Sequence, residues 1–489
     1  MPVAVAAPHP AAVDAARAVV SAGGNAVDAA LAAAAALTVA YPHQCSVGGD
    51  LVALVRPAGG DVRAVLSIGA AAAAVDVAAL RAAGDAMPYG GPQTITVPGV
   101  VAGWAAVASL GARLPPVEHF APARRLAAEG VAVSAGLRQA ILGRIGDIRA
   151  DPGLAGLLLD AGGEPVRTLV QPALAGTFDA LADDWRSFYD GDLGRRLVDG
   201  LHRLGSPLST ADLARHEAEV ADPLHAVADG VEWFAAPPPV QGATFLAING
   251  SGSLLADARR AQLARNALLG DPRTGPIDLD GLLLRTPPKH HDEGGAVKAA
   301  GDTVAVTAVD DSGNAVTLIQ SVFQSFGSGL LDPGTGIVLH NRGSSFRLEP
   351  AHPGRLAPGA RPPHTLCPVI ATSRDTVLAV GCQGGRSQPW ILAQVADALT
   401  ADDLATVVAR PRWVIGAQEI DRPAPTLLME PGTPGAGALA VTAREMGLAV
   451  ETTAGPHDDA GHVQAARLSG GVLAAGSDPR ADGTAAVIP

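Results

Sequence analysis

The stretch TPPKHHDEGGAVKAAGD, residues 286–302, runs straight into TVAVTAVDDSGNAVTLIQS, residues 303–321. The first half is polar, contains Gly and Pro, and has no apolar period, so it reads as a mobile surface loop. The second half reads as a hairpin. Thr303 to Val309 is strand-like, Asp310 to Asn314 supplies turn residues, and Ala315 to Ser321 is the return strand. The Asp310-Asp311 pair is simpler as turn chemistry than as acid/base machinery. A loop thus feeds abruptly into a core strand whose first residue is threonine.

That order of elements suggests self-cleavage. A hydroxyl is a poor nucleophile at its free pKa and needs a base beside it. A threonine that begins a chain carries its own base, the α-amine, with a pKa of about 7.7–8.0. A threonine inside a chain lacks that amine, so the bond before it must break first. Here the loop ending at Asp302 can strain or swing, and the strand starting at Thr303 holds the hydroxyl still. Cutting between Asp302 and Thr303 would free the loop and open a pocket at the strand end.

Outward from the junction, helices and strands mix. Ala11 to Ser21 reads as a helix stopped by Gly23-Gly24, and Asn25 caps a second helix, Ala26 to Leu37. Residues 51–67 suggest strands around a Pro57-Ala58-Gly59-Gly60 turn. From Val100 to Phe245 the pattern is mainly helical, broken at Pro115-Pro116, Asp151-Pro152-Gly153 and Pro237 to Gly242; it stays helical to about Leu269. Residues 367–381 are strand-rich and end in Cys382-Gln383-Gly384-Gly385, before a helix from Pro389 to Leu399.

With 489 residues, 48% of them hydrophobic, the chain can bury a large core. Its net charge of -13 and lack of a basic stripe exclude general nucleic-acid or membrane-surface binding. Cys45, Cys367 and Cys382 fit neither a zinc site nor a disulfide framework, and read as buried, inert thiols in a reducing compartment. No signal peptide is visible, and the apolar run Ala29 to Tyr41 is too short to span a bilayer. A cytoplasmic protein is expected. His290-His291, on a loop with no fixed scaffold, makes a poor metal site, and no metal or organic cofactor is implied.

The junction Asp302-Thr303 with Val309-Asp310-Asp311-Ser312-Gly313-Asn314-Ala315-Val316 resembles the small-subunit start of gamma-glutamyltransferases. The resemblance continues through Phe326-Gly327-Ser328-Gly329, Pro333 to Ile337, Leu356 to Pro362, Gly384-Gly385 and Ala409 to Trp413. Upstream it covers Ser21 to Ala29, Pro42-His43, Val47 to Asp50, Val97 to Gly103 and Pro237 to Gly242. The blocks at Gly48-Gly49-Asp50 and Asn341-Arg342-Gly343 look like the signal-less bacterial branch. This resemblance implies a four-layer αββα sandwich of the N-terminal-nucleophile hydrolase type. It also implies a large subunit, 1–302, and a small one, 303–489, interlocked as one structural domain. A homodimer of such heterodimers stays open.

By the same resemblance, Thr303 is the nucleophile and Gly384-Gly385 supply oxyanion-hole amides. Ser321 lies near the nucleophile, to polarise it or orient its amine. His364-Thr365 falls where glutathione-cleaving members carry paired serines; His364 is either a pocket wall or a solvated loop residue. The family's substrate anchors are an arginine and an acid, but the matching positions here are about Ala70 and Ser345. Val322-Phe323 stands where Asn or Tyr is commoner. Both charge anchors look gone, which predicts a more apolar pocket and a small-molecule substrate other than a gamma-glutamyl compound. Arg386 is then the candidate for a replacement cation. Three readings follow: an amidohydrolase or acyltransferase; a hydrolase of carbon–carbon bonds beside a keto or oxalyl group, in natural-product biosynthesis; or an inactive scaffold relative, disfavoured by the retention of Thr303, Gly384 and Gly385.

Overall fold

A computed structural model describes residues 1–286 and 302–489. The loop reading of 286–302 and the His290-His291 pair fall almost wholly outside the described residues.

Two antiparallel sheets form the centre. The first has the strand order Thr484–Ile488, Val3–Ala7, Asp302–Asp310, Ala315–Phe323, Asp50–Arg56, Arg63–Ser67 and Glu219–Ala221. The second runs Val472–Ser477, Val463–Ser469, Thr376–Cys382, Val369–Thr372, Val231–Ala235 and Leu224–Ala228. Each sheet draws strands from both sides of residue 303, so the two stretches of chain share their hydrogen-bond ladders.

Three apolar layers hold four layers of structure together. One core packs Val304, Val306, Ala53 and Leu318 of the first sheet against helices Pro10–Ser21, Ala26–Ala40 and Val100–Ser109. A second lies between the sheets, where Ala305, Ile319 and Leu54 meet Ile370, Ala379 and Ala466. A third joins Val380 and Leu378 to helices Gly242–Ile248, Leu254–Leu268 and Gln388–Ala393. The result is the αββα sandwich expected.

Local chemistry explains the elements next to the hairpin. Asn25 caps helix Ala26–Ala40, and Asp28 closes the capping box by accepting from the Asn25 N–H. All fifteen residues of this helix are buried, and its alanines let neighbouring elements come close. Asp310 in the hairpin turn accepts from Ser312 and Asn314 N–H groups and also from Ala26 N at 3.2 Å, at the positive end of the helix. The buried Gln320 amide is satisfied on both sides, by Trp104 Nε1 and Ala34 O.

The region from Val100 to Phe245 is mainly helical, as expected, but its last part holds the strands Glu219–Ala221, Leu224–Ala228 and Val231–Ala235. Their partners lie far along the chain (Val231–Ala235 pairs with Val369–Thr372), and pairing rather than local propensity sets their form. The single helix from Pro389 to Leu399 is two short ones, Gln388–Ala393 and Ala396–Ala401. The three cysteines are buried and free, as expected.

Candidate active site

Thr303 and Ser321 sit at one end of the central hairpin, each 1% exposed. The ladder between their strands slips just past Gln320, so that Phe323, not Ser321 or Val322, pairs with Asp302. Phe323 adopts a φ of 79°, a conformation costing about 1–3 kcal/mol for a residue with a Cβ. The slip turns the Phe323 N–H back onto Ser321 Oγ at 2.8 Å.

Ser321 gives its single hydroxyl proton to the carbonyl oxygen of Asp302, at 2.7 Å. It can then only accept from Thr303 Oγ1, which lies 3.1 Å away. One hydroxyl therefore polarises the carbonyl before Thr303 and holds the oxygen that could attack it. A proton leaving Thr303 Oγ1 has a path through Ser321 Oγ to that carbonyl oxygen.

Close backbone approach makes room for this arrangement. Ser321 pairs with Asp50, and a Cβ on Gly49 would lie 2.5 Å from Ser321 O. Asp50 is wholly buried. Its Oδ1 accepts from Gly69 N at 3.0 Å, and its Oδ2 lies 3.2 Å from His364 Nε2 and 3.5 Å from His340 Nδ1. Although burial opposes its charge, these neighbours hold the Asp50 carboxyl well below the usual range. Burial pushes His364 down to about 3, so this ring is neutral. Of the two alternatives for His364, the structure selects the pocket wall. Asp50 closes the Val47 to Asp50 block, and nothing local in the sequence marks it as a partner of His364.

The glycine turn stands at the end of strand Thr376–Cys382. Gly381 of this strand packs against Ala305 and Ile319, two residues along from Thr303 and Ser321. Gly384 has a φ of 145°, Gly385 one of 51°, and a Cβ on Gly384 would meet Ile391 Cδ1 at 2.5 Å. Neither glycine donates its N–H to a side chain or loop carbonyl among the described residues. Successive amides in this form can converge on one anion. Gln241 braces the turn: its Nε2 donates to Thr365 O and, at 2.9 Å, to Gly385 O, while Arg265 Nη1 holds its Oε1 at 2.9 Å. Gln241 lies within the Pro237 to Gly242 block, where its contacts to Thr365 and Gly385 leave no local sequence signal.

A cavity of about 50 Å³ opens beside this region, lined by Gln241, Arg265, Ser345, His364, Thr365 and Arg386 among others. Ser345, His364, Thr365 and Arg386 thus come together as the sequence suggested. Ala70 lies next to Gly69, the Asp50 partner, and its carbonyl accepts from Val97 N. The expected apolar character is not found. Arg265, Arg347 and Arg386 all line this cavity. Behind it lies Arg342, 1% exposed, with its guanidinium 3.9 Å from the Phe323 ring centroid and Nη1 3.3 Å from Thr365 Oγ1. Burial lowers its pKa to about 9, which still leaves it charged near pH 7. The Ser345 hydroxyl lies 2.8 Å from both Arg342 O and Pro363 O, the two acceptors open to its one proton.

A second cavity, about 290 Å³, lies on the Asp302 side, lined by His43, Gln44, Gln139, Ser325, Asp458 and His462 among others. Burial raises the Asp302 carboxyl to about 7, and nearby Asp458 adds to the rise. Among the described residues no cluster of side chains suits a metal ion, and no helix is long and apolar enough to cross a membrane.

The family model described as gamma-glutamyltranspeptidase matches residues 12–250 and 252–488. The chain is 37% identical to an oxamate amidohydrolase proenzyme of Klebsiella pneumoniae, over 98% of this chain and 97% of the relative. It is 33% identical to a glutathione hydrolase-like proenzyme of Bacillus subtilis, over 84% and 85%. Among solved structures, a cephalosporin acylase from Bacillus halodurans superposes with a TM-score of 0.86 at 27% identity, covering 99% of this chain and 95% of that one. A threonine linked through Ser321 to the carbonyl before it, a glycine turn at the end of a strand packed on its hairpin, and matches along nearly the whole length agree: the chain belongs to the gamma-glutamyltranspeptidase family of N-terminal-nucleophile enzymes.

Proposed function

We propose that the chain cuts itself before Thr303, into residues 1–302 and 303–489, and that the freed threonine hydrolyses a small amide other than a gamma-glutamyl compound. The observation carrying this reading is the pair of hydrogen bonds joining Thr303 Oγ1, Ser321 Oγ and the Asp302 carbonyl oxygen.

In the first cut, Thr303 Oγ1 adds to the Asp302 carbonyl carbon while its proton passes through Ser321 to the carbonyl oxygen. Collapse returns that oxygen to a carbonyl, passes its proton to the leaving nitrogen and breaks the C–N bond, leaving an ester on Oγ1 and a free Thr303 amine. Water hydrolyses the ester and releases the Asp302 carboxylate. In turnover, the new amine takes the Oγ1 proton as the oxygen adds to the substrate carbonyl. The Gly384 and Gly385 amides bind the resulting oxyanion, each such donor being worth about 2.7–4 kcal/mol. The leaving nitrogen takes the proton, and water cleaves the acyl ester.

The cation-rich lining supports a substrate that is not gamma-glutamyl. A gamma-glutamyl group carries an α-ammonium beside its α-carboxylate; Arg347 and Arg386 suit only the carboxylate, and Ser345 offers no charge to hold the ammonium. The relative named as an oxamate amidohydrolase points to small amides carrying a carboxylate. The test is ammonia release from oxamate beside nitroaniline release from gamma-glutamyl-p-nitroanilide. Turnover of the first and little of the second is expected; vigorous turnover of the second alone would contradict the reading. A ketone split at a carbon–carbon bond would use the same oxyanion site, and turnover of an oxalyl ketone with neither amide cleaved would favour that chemistry instead.

A further inference from the structure

Arg342 stands out among the buried cations. Its Nη1 donates to Thr365 Oγ1, but its Nε and Nη2 are buried with no hydrogen-bond partner among the described residues. No carboxylate lies within ion-pair distance of it among those residues. An orphaned buried donor costs about 1–3 kcal/mol, more when charged, and is kept only where something explains it. Nε and Nη2 lie along one edge of the guanidinium plane. That edge presents two parallel N–H groups, the fork that a carboxylate takes side-on through both oxygens.

The position of the fork is equally specific. Its plane lies on the Phe323 ring, and Phe323 is the strand partner of Asp302, whose carbonyl the nucleophile faces. Thr365, which holds Nη1, and Ser345, which holds the Arg342 carbonyl, both line the small cavity. The residue whose ring carries the guanidinium is thus the one whose backbone pairs with Asp302, and the small cavity, which Thr365 and Ser345 line though Arg342 itself does not, suits a few small groups rather than a long chain.

We propose that Arg342 is the carboxylate anchor of this site, binding through Nε and Nη2 both oxygens of a carboxylate carried on the same small molecule as the scissile amide. This rests on the amidohydrolase reading above and narrows its substrate class to short amides of dicarboxylic acids. Arg342 binds and does not react: no bond to it forms or breaks. Phe323 and Thr365 are its positioning residues. Arg386, on the wall of the outer cavity, is the rival cation.

The experiment uses the processed protein and reads binding apart from turnover. Oxalate, a dicarboxylate with no amide to cut, is titrated calorimetrically into the wild type, Arg342→Met, Arg342→Lys and Arg386→Met. Oxalate should bind the wild type, weaken by about 30-fold or more in Arg342→Met, recover in part in Arg342→Lys, and change little in Arg386→Met. In parallel, the KM for oxamate should rise in Arg342→Met far more than kcat falls. The anchor is overturned if Arg342→Met binds oxalate as the wild type does, or if the loss falls on Arg386→Met. Oxalate binding that depends on Arg342 without oxamate turnover would sustain the anchor and sink the amidohydrolase reading. Should Arg342→Met fail to fold, Arg342→Lys decides: unchanged oxalate affinity and unchanged KM would overturn the proposal, because an ammonium cannot reproduce the side-on fork.

Discussion

Arg412 and Arg342 are each 1% exposed, yet the protein treats them in opposite ways. Every side of the Arg412 guanidinium is used: Nε donates to Ala460 O, Nη1 to Val408 O, and Nη2 to Gly461 O and Asp478 Oδ2. Asp478 also takes Arg480, and Arg480 in turn pairs with Glu430. Among the described residues Arg342 has one hydroxyl, an aromatic face, and two donors left open. A buried ion that only holds structure must be fully paired, or its desolvation is not offset. A binding group must keep a vacancy for its ligand. The closed cluster belongs to the fold, and the open one, stacked on a strained Phe323, belongs to the chemistry.

One substitution made at both sites sharpens the contrast most. Arg412→Met leaves Asp478 and three carbonyls short of a partner and should lower unfolding free energy by about 3–5 kcal/mol. Arg342→Met removes an unpaired cation and should stay within about 1 kcal/mol of the parent or above it. Urea denaturation of both, in a Thr303→Ala background so that all chains are intact, checks this. Equal losses would make Arg342 a structural residue.

Next in size is the hydroxyl between Thr303 and the Asp302 carbonyl. Ser321→Ala takes away both the donor to that carbonyl and the acceptor for Oγ1, and should slow self-cleavage by about 10²–10³-fold. The time course of conversion on a denaturing gel measures it. Cleavage at the parental rate would mean that the pair of hydrogen bonds is incidental.

The smallest effect concerns Asp302. Its carboxyl titrates near 7 in the folded precursor and near 3.8 in the unfolded chain. Between those values the folded form keeps a proton that the unfolded form has lost. The stability this group contributes is therefore full below about 3.8 and is lost as pH rises to about 7. In the Thr303→Ala background, Asp302→Asn should gain stability over its parent progressively from pH 5 to 7, then level off. A pH-independent difference would show that the carboxyl titrates normally.

How much of this the sequence displayed depends on how local each signal is. The hairpin, the Asn25 cap and the Asp310 turn were readable because their partners lie a few residues away. The nearness of Ser321 to Thr303 was implied by the family resemblance; the slip in the ladder that sets their contact has no sequence signal. The Asp50–His364 contact spans 314 residues, and the Arg342 contact to Thr365 crosses a turn of irregular chain; neither has a periodic or spacing signature. Arg342 was visible as a letter within Asn341-Arg342-Gly343, but only burial without partners distinguishes it from a surface arginine. For the same reason the loss of the familiar anchors at Ala70 and Ser345 suggested an apolar pocket, when the replacement cations sat at other positions.

All of the chemistry depends on Thr303 becoming the first residue of a chain. N-terminal sequencing of the purified, active protein tests this directly. It should return two sequences, one from the start of the chain and one reading Thr-Val-Ala-Val, with the second absent in Thr303→Ala. An active preparation that yields a single sequence, with residues 302 and 303 still joined, would contradict the account.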